Sequence, residues 1–544
     1  MSAPTTLYFT TTDSICPPLL KSPFPRWGLQ TKMPYANTLA MISKVPSAIP
    51  FGFEGRLVTV EGDMNRGLPN FNIVGMANKT VSEARERVKS AITSSGFLFP
   101  DKKVTINLAP ADLSKDGSFL DLPIALSILI LSGQLLESDM KDRLFVGELS
   151  LSGQLRPVKG IINIVELAKK SGFKEVFIPI RNLPQASLIK DITVYGAESL
   201  GSLYQHLKGQ IRLNTQKNLQ TGLKTPNLSP NSPVLDHIHG QQLAKRALAI
   251  AIAGRHNLLI SGPPGAGKTL LAKTAVNLLP ALTPEEQIEI TKIYSLANLK
   301  TDHAITTRPF RNPHHTASLT SIIGGSTGPG EISLAHKGIL FLDELPEFSR
   351  NVLESLRQPL EDKKITVSRA NQKTTYPADF ILIATMNPCP CGYLGDPTHT
   401  CTCTSTEIHN YQKKLSGPLL DRIDMYLEVE KVDNNSLFLP PKSTFAEHNV
   451  VKNTITESIS QQSLRYKNSY TMNGNLSSFQ VSTELKLTPS ARKFLKSASE
   501  KLQLSARSYF KTIKVAQTIA DLEKAPQIDA NHLAEALTFR RRQP

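Results

Sequence analysis

Leu258-Leu259-Ile260-Ser261 is a short apolar run that leads straight into Gly262-Pro263-Pro264-Gly265-Ala266-Gly267-Lys268-Thr269, and then into a helical stretch, LLAKTAVNLL, at residues 270–279. Strand, Gly-rich turn and helix in that order form the setting a phosphate-binding loop needs. Glycines let successive backbone N–H groups wrap phosphate oxygens, and the helix N-terminus adds a partial positive charge. Lys268 is then placed to neutralise the β- and γ-phosphates of a nucleoside triphosphate such as ATP. The Thr269 hydroxyl is placed to ligate Mg²⁺.

Two further apolar strands carry the rest of this chemistry. Gly338-Ile339-Leu340-Phe341-Leu342 ends in Asp343-Glu344, and Phe380-Ile381-Leu382-Ile383-Ala384 leads into Thr385-Met386-Asn387. In an α/β sheet, reactive groups collect at strand C-termini. Asp343 is expected to hold Mg²⁺ through water, Glu344 to polarise the attacking water, and Asn387 to orient that water against the γ-phosphate.

Around this centre the chain is long, basic and without a membrane span. Its 544 residues exceed one core and imply two to four domains. A net charge of +16 points to a polyanionic partner, nucleic acid before anionic membrane. No apolar run reaches the ~18 residues of a spanning helix; the longest, Leu122 to Leu131, fits a buried helix. Residues 1–40 read as a disordered extension or an upstream-start artefact, with Met33 and Met41 as alternative starts. The first 32 lack the pattern of a secretory signal. Five cysteines, four of them between 389 and 403, suit a reducing cytoplasm and one metal site rather than a disulfide scaffold.

Organisation follows the patterning. Residues 41–207 mix strands (55–61, 71–74, 103–108) with an amphipathic helix at 81–95, and 208–233 read as a Pro-containing linker. Residues 234–432 form the nucleotide-binding core. A polar connecting segment with weak helical patches occupies 433–486, and 487–544 read as a helical lid. The fold class is α/β: a P-loop core with a C-terminal helical lid, preceded by an α+β domain.

Cys389-Pro390-Cys391 and Cys401-Thr402-Cys403, with His399 between them, can form a Cys₄ zinc site, structural because no ligand position stays open. The alternative is four reduced thiols in a Gly/Pro loop. Lys364–Arg369 and Gln372–Tyr376 flank an Ala370-Asn371 tip and read as a hairpin.

The three nucleotide-site pieces resemble AAA+ ATPases. RPFRNPHHT at 308–316, PGEISLAH at 329–336, FLDELPEF at 341–348, NPCPCG at 387–392 and GPLLDRID at 417–424 are similar to the magnesium-chelatase-like YifB/ComM family. The resemblance spans about residues 41–207, 236–432 and 487–541. It implies a homo-oligomeric ring, a hexamer, with ATP at subunit boundaries. In that ring Arg422 matches the arginine finger that reaches a neighbour's γ-phosphate, and Arg507 matches the lid arginine called sensor 2. It also implies a DNA translocase acting in branch migration, during recombination or natural transformation. Two insertions are then expected to line the pore, one near 316–330 and the other the hairpin. Lys363, Lys364, Arg369 and Lys373 of the hairpin are expected to face the channel and contact phosphates with little sequence specificity.

Residues 102–172 resemble the proteolytic domain of Lon-type proteases. Lys115-Asp116-Gly117 matches the segment before that family's nucleophile, yet Phe119 falls at the serine position and Ile164 at the lysine position. Ser118 is one residue off and lacks a lysine partner, so no peptidase activity is expected. Two other readings remain open: an ATPase subunit for metal insertion into a porphyrin, and a polymerase-remodelling activator. The second lacks a DNA-reading helix-turn-helix. Departures from the family pattern are Gly324-Gly325-Ser326 in place of a glycine triplet, and Gln517 where an arginine is common.

Overall fold

The computed structural model describes residues 41–75, 78–110, 118–216, 233–297, 304–325, 328–369, 372–396, 399–431, 445–468 and 471–541. The readings of residues 1–40, of Lys115-Asp116-Gly117, of Ser326 and of the hairpin tip fall outside them.

The N-terminal part holds two four-stranded sheets. In the first, Met41–Phe51 pairs antiparallel with Glu54–Asn65, which pairs antiparallel with Lys103–Ala109, and Asn70–Val74 lies parallel at the far edge. The second joins Arg143–Phe145, Glu175–Pro179 and Thr193–Ala197 in parallel and adds Asn214–Thr215 antiparallel. Between elements of both sheets runs the helix Asp121–Leu131, buried along its whole length. Its one charge, Asp121, takes two bonds from Arg87, at 2.9 and 3.2 Å. Burial nevertheless pushes the Asp121 carboxyl up to about 6.

The central sheet has five parallel strands in the order Phe310–Arg311, Ile339–Leu342, Ile381–Met386, Leu258–Ser261, Met425–Glu428. Its three middle strands are buried at every residue, as a sheet covered on both faces requires. Leu258, Ile260, Phe341 and Ile383 face the lid side. Leu259, Leu340, Leu382 and Ala384 face the side that carries the Lys364–Arg369/Gln372–Pro377 hairpin.

The lid contains the helices Pro489–Lys501, Ala506–Leu522 and Ala530–Thr538, and an earlier 21-residue helix, Ala446–Tyr466, packs with them. Polar contacts tie it in: Gln462 donates to the Ala253 carbonyl at 2.9 Å, and Arg465 pairs with the buried Asp521 at 2.9 Å. Gln517 is buried and also donates to Asp521, at 2.8 Å, so the cation facing Asp521 comes from Arg465.

His256 is a second cement between core and lid, its Nε2 2.8 Å from the Thr518 hydroxyl. Complete burial holds its imidazole down to about 4, against an ordinary 6.5. Between those values the unfolded chain binds a proton that the folded chain refuses. Stability is therefore full above pH 6.5 and falls as pH drops toward 4, by about 1.4 kcal/mol per pH unit from this group. Denaturant unfolding at pH 7 and pH 5 should show that loss, and His256→Gln should flatten it. An identical pH slope in both chains would count against the assignment.

The N-terminal part docks on the helix Pro284–Leu296. Gly160 donates its N–H to the Ser295 carbonyl at 2.9 Å, and Lys292 pairs with Glu166 at 2.6 Å. The Lys292 ammonium also lies 4.0 Å over the Phe53 ring. The Phe53 carbonyl accepts from Asn163 at 2.8 Å. The Phe51-Gly52-Phe53 turn reaches the hairpin, where a Cβ on Gly52 would stand 2.8 Å from Thr374 Cγ2.

Candidate nucleotide site

The sheet order brings three strand ends side by side. Leu342 pairs with Ala384, and Ser261 with Met386, so Asp343, Asn387 and the 262–269 loop follow from neighbouring strands at one edge. Gly265 and Gly267 take φ of +81° and +77°, which lets the loop curl before the helix Lys268–Leu278 begins.

Within this corner the side chains form one connected set. Lys268 donates to the Gly262 and Pro263 carbonyls at 2.5 and 3.0 Å and to Asn387 Oδ1 at 2.9 Å. Burial lowers the Lys268 pKa, and the charges of Asp343 and Glu344 oppose that shift. Thr269 donates to Asp343 Oδ2 at 3.2 Å, while Thr385 donates to Asp343 Oδ1 at 2.5 Å. The same Thr385 hydroxyl accepts the Glu344 N–H at 3.0 Å. Glu344 itself is exposed and sits at φ +53°, a left-handed turn that swings it off the strand line.

Thr385 is thus a site residue that motif reading missed as a function. It aligns the Asp343 carboxylate and the Glu344 backbone together. Its signal was a hydroxyl residue at a strand end, two positions before Asn387. The set offers what a magnesium nucleotide requires: hard oxygen ligands from Thr269 and Asp343, a cation, and a carboxylate free to face solvent.

Arg422 and Arg507 lie elsewhere in the chain. Both pair with Glu361, Arg422 by a direct hydrogen bond and Arg507 at 3.8 Å. With Arg255, Lys511 and Lys514 they line a cavity of about 840 Å³ between core and lid. No residue of 262–269, and none of Asp343, Glu344 and Asn387, contributes to its lining.

Comparison with known proteins fits this geometry. Family models described as magnesium chelatase subunit ChlI match residues 234–437, as subunit ChlI of Mg-chelatase residues 60–182, and as the ChlI C-terminal region residues 446–540. The chain is 44% identical over 500 residues to the competence protein ComM of Haemophilus influenzae, covering 91% of this chain and 97% of that one. The chain belongs to the YifB/ComM family of magnesium-chelatase-like AAA+ ATPases. It is also 40% identical over 508 residues to YifB of Escherichia coli, covering 92% and 97%. A 67 kDa magnesium-chelatase subunit of Chlorobaculum parvum is 24% identical over 155 residues, 28% of this chain and 23% of that protein.

Two further features lie outside the nucleotide corner of this YifB/ComM family member, the cysteine cluster and the hairpin. The four sulfurs of Cys389, Cys391, Cys401 and Cys403 lie within 4.8 Å of one another, with Cys389 to Cys401 at 3.7 Å and Cys391 to Cys401 at 3.5 Å. A tetrahedron with Zn–S of about 2.3 Å puts sulfurs about 3.8 Å apart, so the donor set suits zinc. His399 stacks on Tyr393 at 4.8 Å and stays out of the cluster. The loop bears on the phosphate-binding turn: a Cβ on Gly392 would stand 2.9 Å from Pro264 Cδ.

The hairpin has one buried face, Ile365, Val367, Thr374 and Tyr376, and one exposed face that includes Lys364 and Lys373. The backbone of Arg369 closes the described part of the ladder. Lys363 corrects the expectation that it shares this face. It caps the preceding helix at φ +56°, and that reversal turns it into the core–lid cavity with Arg255 and Asp379. There burial holds its ammonium below the ordinary lysine range.

In the N-terminal part, Phe119 packs on the core and Ile164 is fully buried, while the Ser118 hydroxyl donates to Glu148. Among the described residues no helix is long and apolar enough to cross a membrane.

Proposed function

We propose that this AAA+ ATPase is a cytoplasmic, ring-forming motor, hexameric, that translocates DNA with little sequence specificity and serves recombination or natural transformation. The observation that carries the reading is the hairpin: a ladder with one face buried in the ATPase core and lysines at 364 and 373 on the other. Ring symmetry multiplies each such charge, and the net charge of +16 agrees with a polyanionic track. The name competence protein, borne by the relative from Haemophilus influenzae, supports a role on DNA.

In this reading Lys268 draws in the β- and γ-phosphates. Thr269 and Asp343 hold Mg²⁺, which when bound neutralises phosphate charge. Glu344 accepts the proton of the attacking water, and Asn387 orients that water. Arg422 and Arg507 serve a neighbour's site, a role supported by their common cavity, to whose lining no residue of 262–269 contributes. Residues 41–207 then form a peptidase-inactive domain braced on the helix Pro284–Leu296, and 234–432 and 487–544 form motor core and lid.

ATP turnover with and without branched, duplex and single-stranded DNA tests the proposal. At least one DNA should raise turnover, and Lys364→Ala with Lys373→Ala should weaken DNA binding and flatten its salt dependence by about two phosphate contacts per chain. Turnover indifferent to every DNA would remove the motor reading. The family-model names favour one competitor, an ATPase subunit of a metal-insertion complex. That activity would be indifferent to DNA and stimulated by a porphyrin-binding partner.

The cysteine cluster is assigned a structural zinc. Purified protein should contain about one zinc per chain, and Cys389→Ser with Cys391→Ser should abolish it and slow ATP turnover by loosening the loop against Pro264. Metal-free protein with four freely titrating thiols would overturn the assignment.

A further inference from the structure

Glu361 is the penultimate residue of the helix Arg357–Asp362, two residues before the turn at Lys363 that launches the hairpin strand Lys364–Arg369. Its carboxylate is shared by two guanidiniums from distant parts of the chain. Arg422, from the core, donates to one oxygen, and Nη2 of Arg507, from the lid, stands 3.8 Å from the other. Arg422 also donates through Nη1 to the Pro418 carbonyl at 2.7 Å, and Asp421 flanks Arg507 at 3.7 Å.

The arrangement is not fully satisfied. Arg422 Nε is buried and has no hydrogen-bond partner among the described residues. Glu361 is half-exposed, so its pairing with the arginines is the weak, exchangeable kind. A γ-phosphate group, with more charge and three acceptor oxygens, competes well for both guanidiniums.

We infer that Glu361 is a positioning residue: it holds Arg422 and Arg507 together in the separate chain and hands the pair to the neighbour's γ-phosphate in the ring, releasing the root of its own hairpin as it does so. This rests on the reading of Arg422 as a group that acts on a neighbour. Because Glu361 is attached to both the arginine pair and the hairpin, the two ends are linked, and linkage is reciprocal. DNA that shifts the hairpin favours released arginines, and released arginines favour turnover.

The test uses the full chain carrying Glu361→Gln, which keeps size and hydrogen bonding but removes the charge. DNA-free turnover should rise by up to about fivefold, the upper end for one exchangeable ion pair, and the ratio of DNA-stimulated to DNA-free turnover should fall toward one. Glu361→Asp should keep most of that ratio. A merely structural Glu361 would scale both rates together and leave the ratio unchanged, which overturns the inference. Arg422→Ala, measured alongside, separates the two levels. If it turns over ATP like the unaltered chain, the reading beneath fails and the inference with it. If it is inactive while Glu361→Gln keeps the normal ratio, only the role of Glu361 falls.

Discussion

Glu344→Gln is expected to lower ATP turnover by about 10²- to 10³-fold while nucleotide binding stays near that of the unaltered chain. The geometry separates the two effects. Binding rests on the loop amides, Lys268 and Thr269, and on the Asp343 carboxylate that Thr269 and Thr385 hold in place. Glu344 takes no part in that set except through its backbone N–H, which Thr385 accepts. Its exposed carboxylate, turned off the strand by a left-handed φ, is the group available to a water in line with the γ-phosphate. Glutamine keeps the shape and the N–H but cannot accept the proton. Single-turnover phosphate release, set beside the affinity for a fluorescent nucleotide, separates chemistry from binding. A large loss of affinity would instead place Glu344 in the binding set.

The second large effect is expected at Arg422→Ala, a loss of about 10³-fold in turnover of the assembled protein with unaltered nucleotide affinity in the separate chain. Arg422 lines the core–lid cavity, not the phosphate-binding corner, so removing it leaves Lys268 and its carbonyl and Asn387 partners untouched. Its cost arises only when a second subunit brings it to developing charge on the phosphoryl group. Arg422→Lys should rescue little, since an ammonium cannot reproduce the planar fork. Arg507→Ala should be milder, because Arg507 is the more exposed member of the pair and sits farther from Glu361. Steady-state turnover across a protein-concentration series measures this. Equal activity in dilute and assembled protein, for both chains, would contradict it.

What could be read before the structure was what lies within one strand and one turn. The loop at 262–269 and the Asp343-Glu344 pair are local, since a buried apolar strand ending in a specific turn declares itself in about a dozen consecutive residues. The buried helix at Asp121–Leu131 was legible for the same reason, as an apolar run too short for a membrane.

The residues that stayed hidden are defined by sheet order and by contacts across the chain. Thr385 becomes a site residue only because its strand lies between those of Leu342 and Ser261. Glu361 meets Arg422 across 61 positions, and no spacing rule anticipates that. Lys363 stands apart from Lys364 and Lys373 because it caps the helix Arg357–Asp362 in a left-handed turn, which residue type and spacing alone do not reveal. The helix Ala446–Tyr466 reads as weak patches because it buries His448, Ser458 and Gln462 alongside Ile455, so no apolar stripe marks its inner face.

The central claim is that one cleft is completed by two chains, Lys268 and Asp343 from one and Arg422 from the next. Mixing the Arg422→Ala chain with the Glu344→Gln chain tests it most directly, because each is inactive alone and each keeps what the other lacks. At equal amounts and random assembly, about a quarter of the sites regain an intact Glu344 facing an intact Arg422, and ATP turnover should return to about that fraction of the unaltered ring. A mixture that co-assembles yet remains as inactive as its two components would contradict the account.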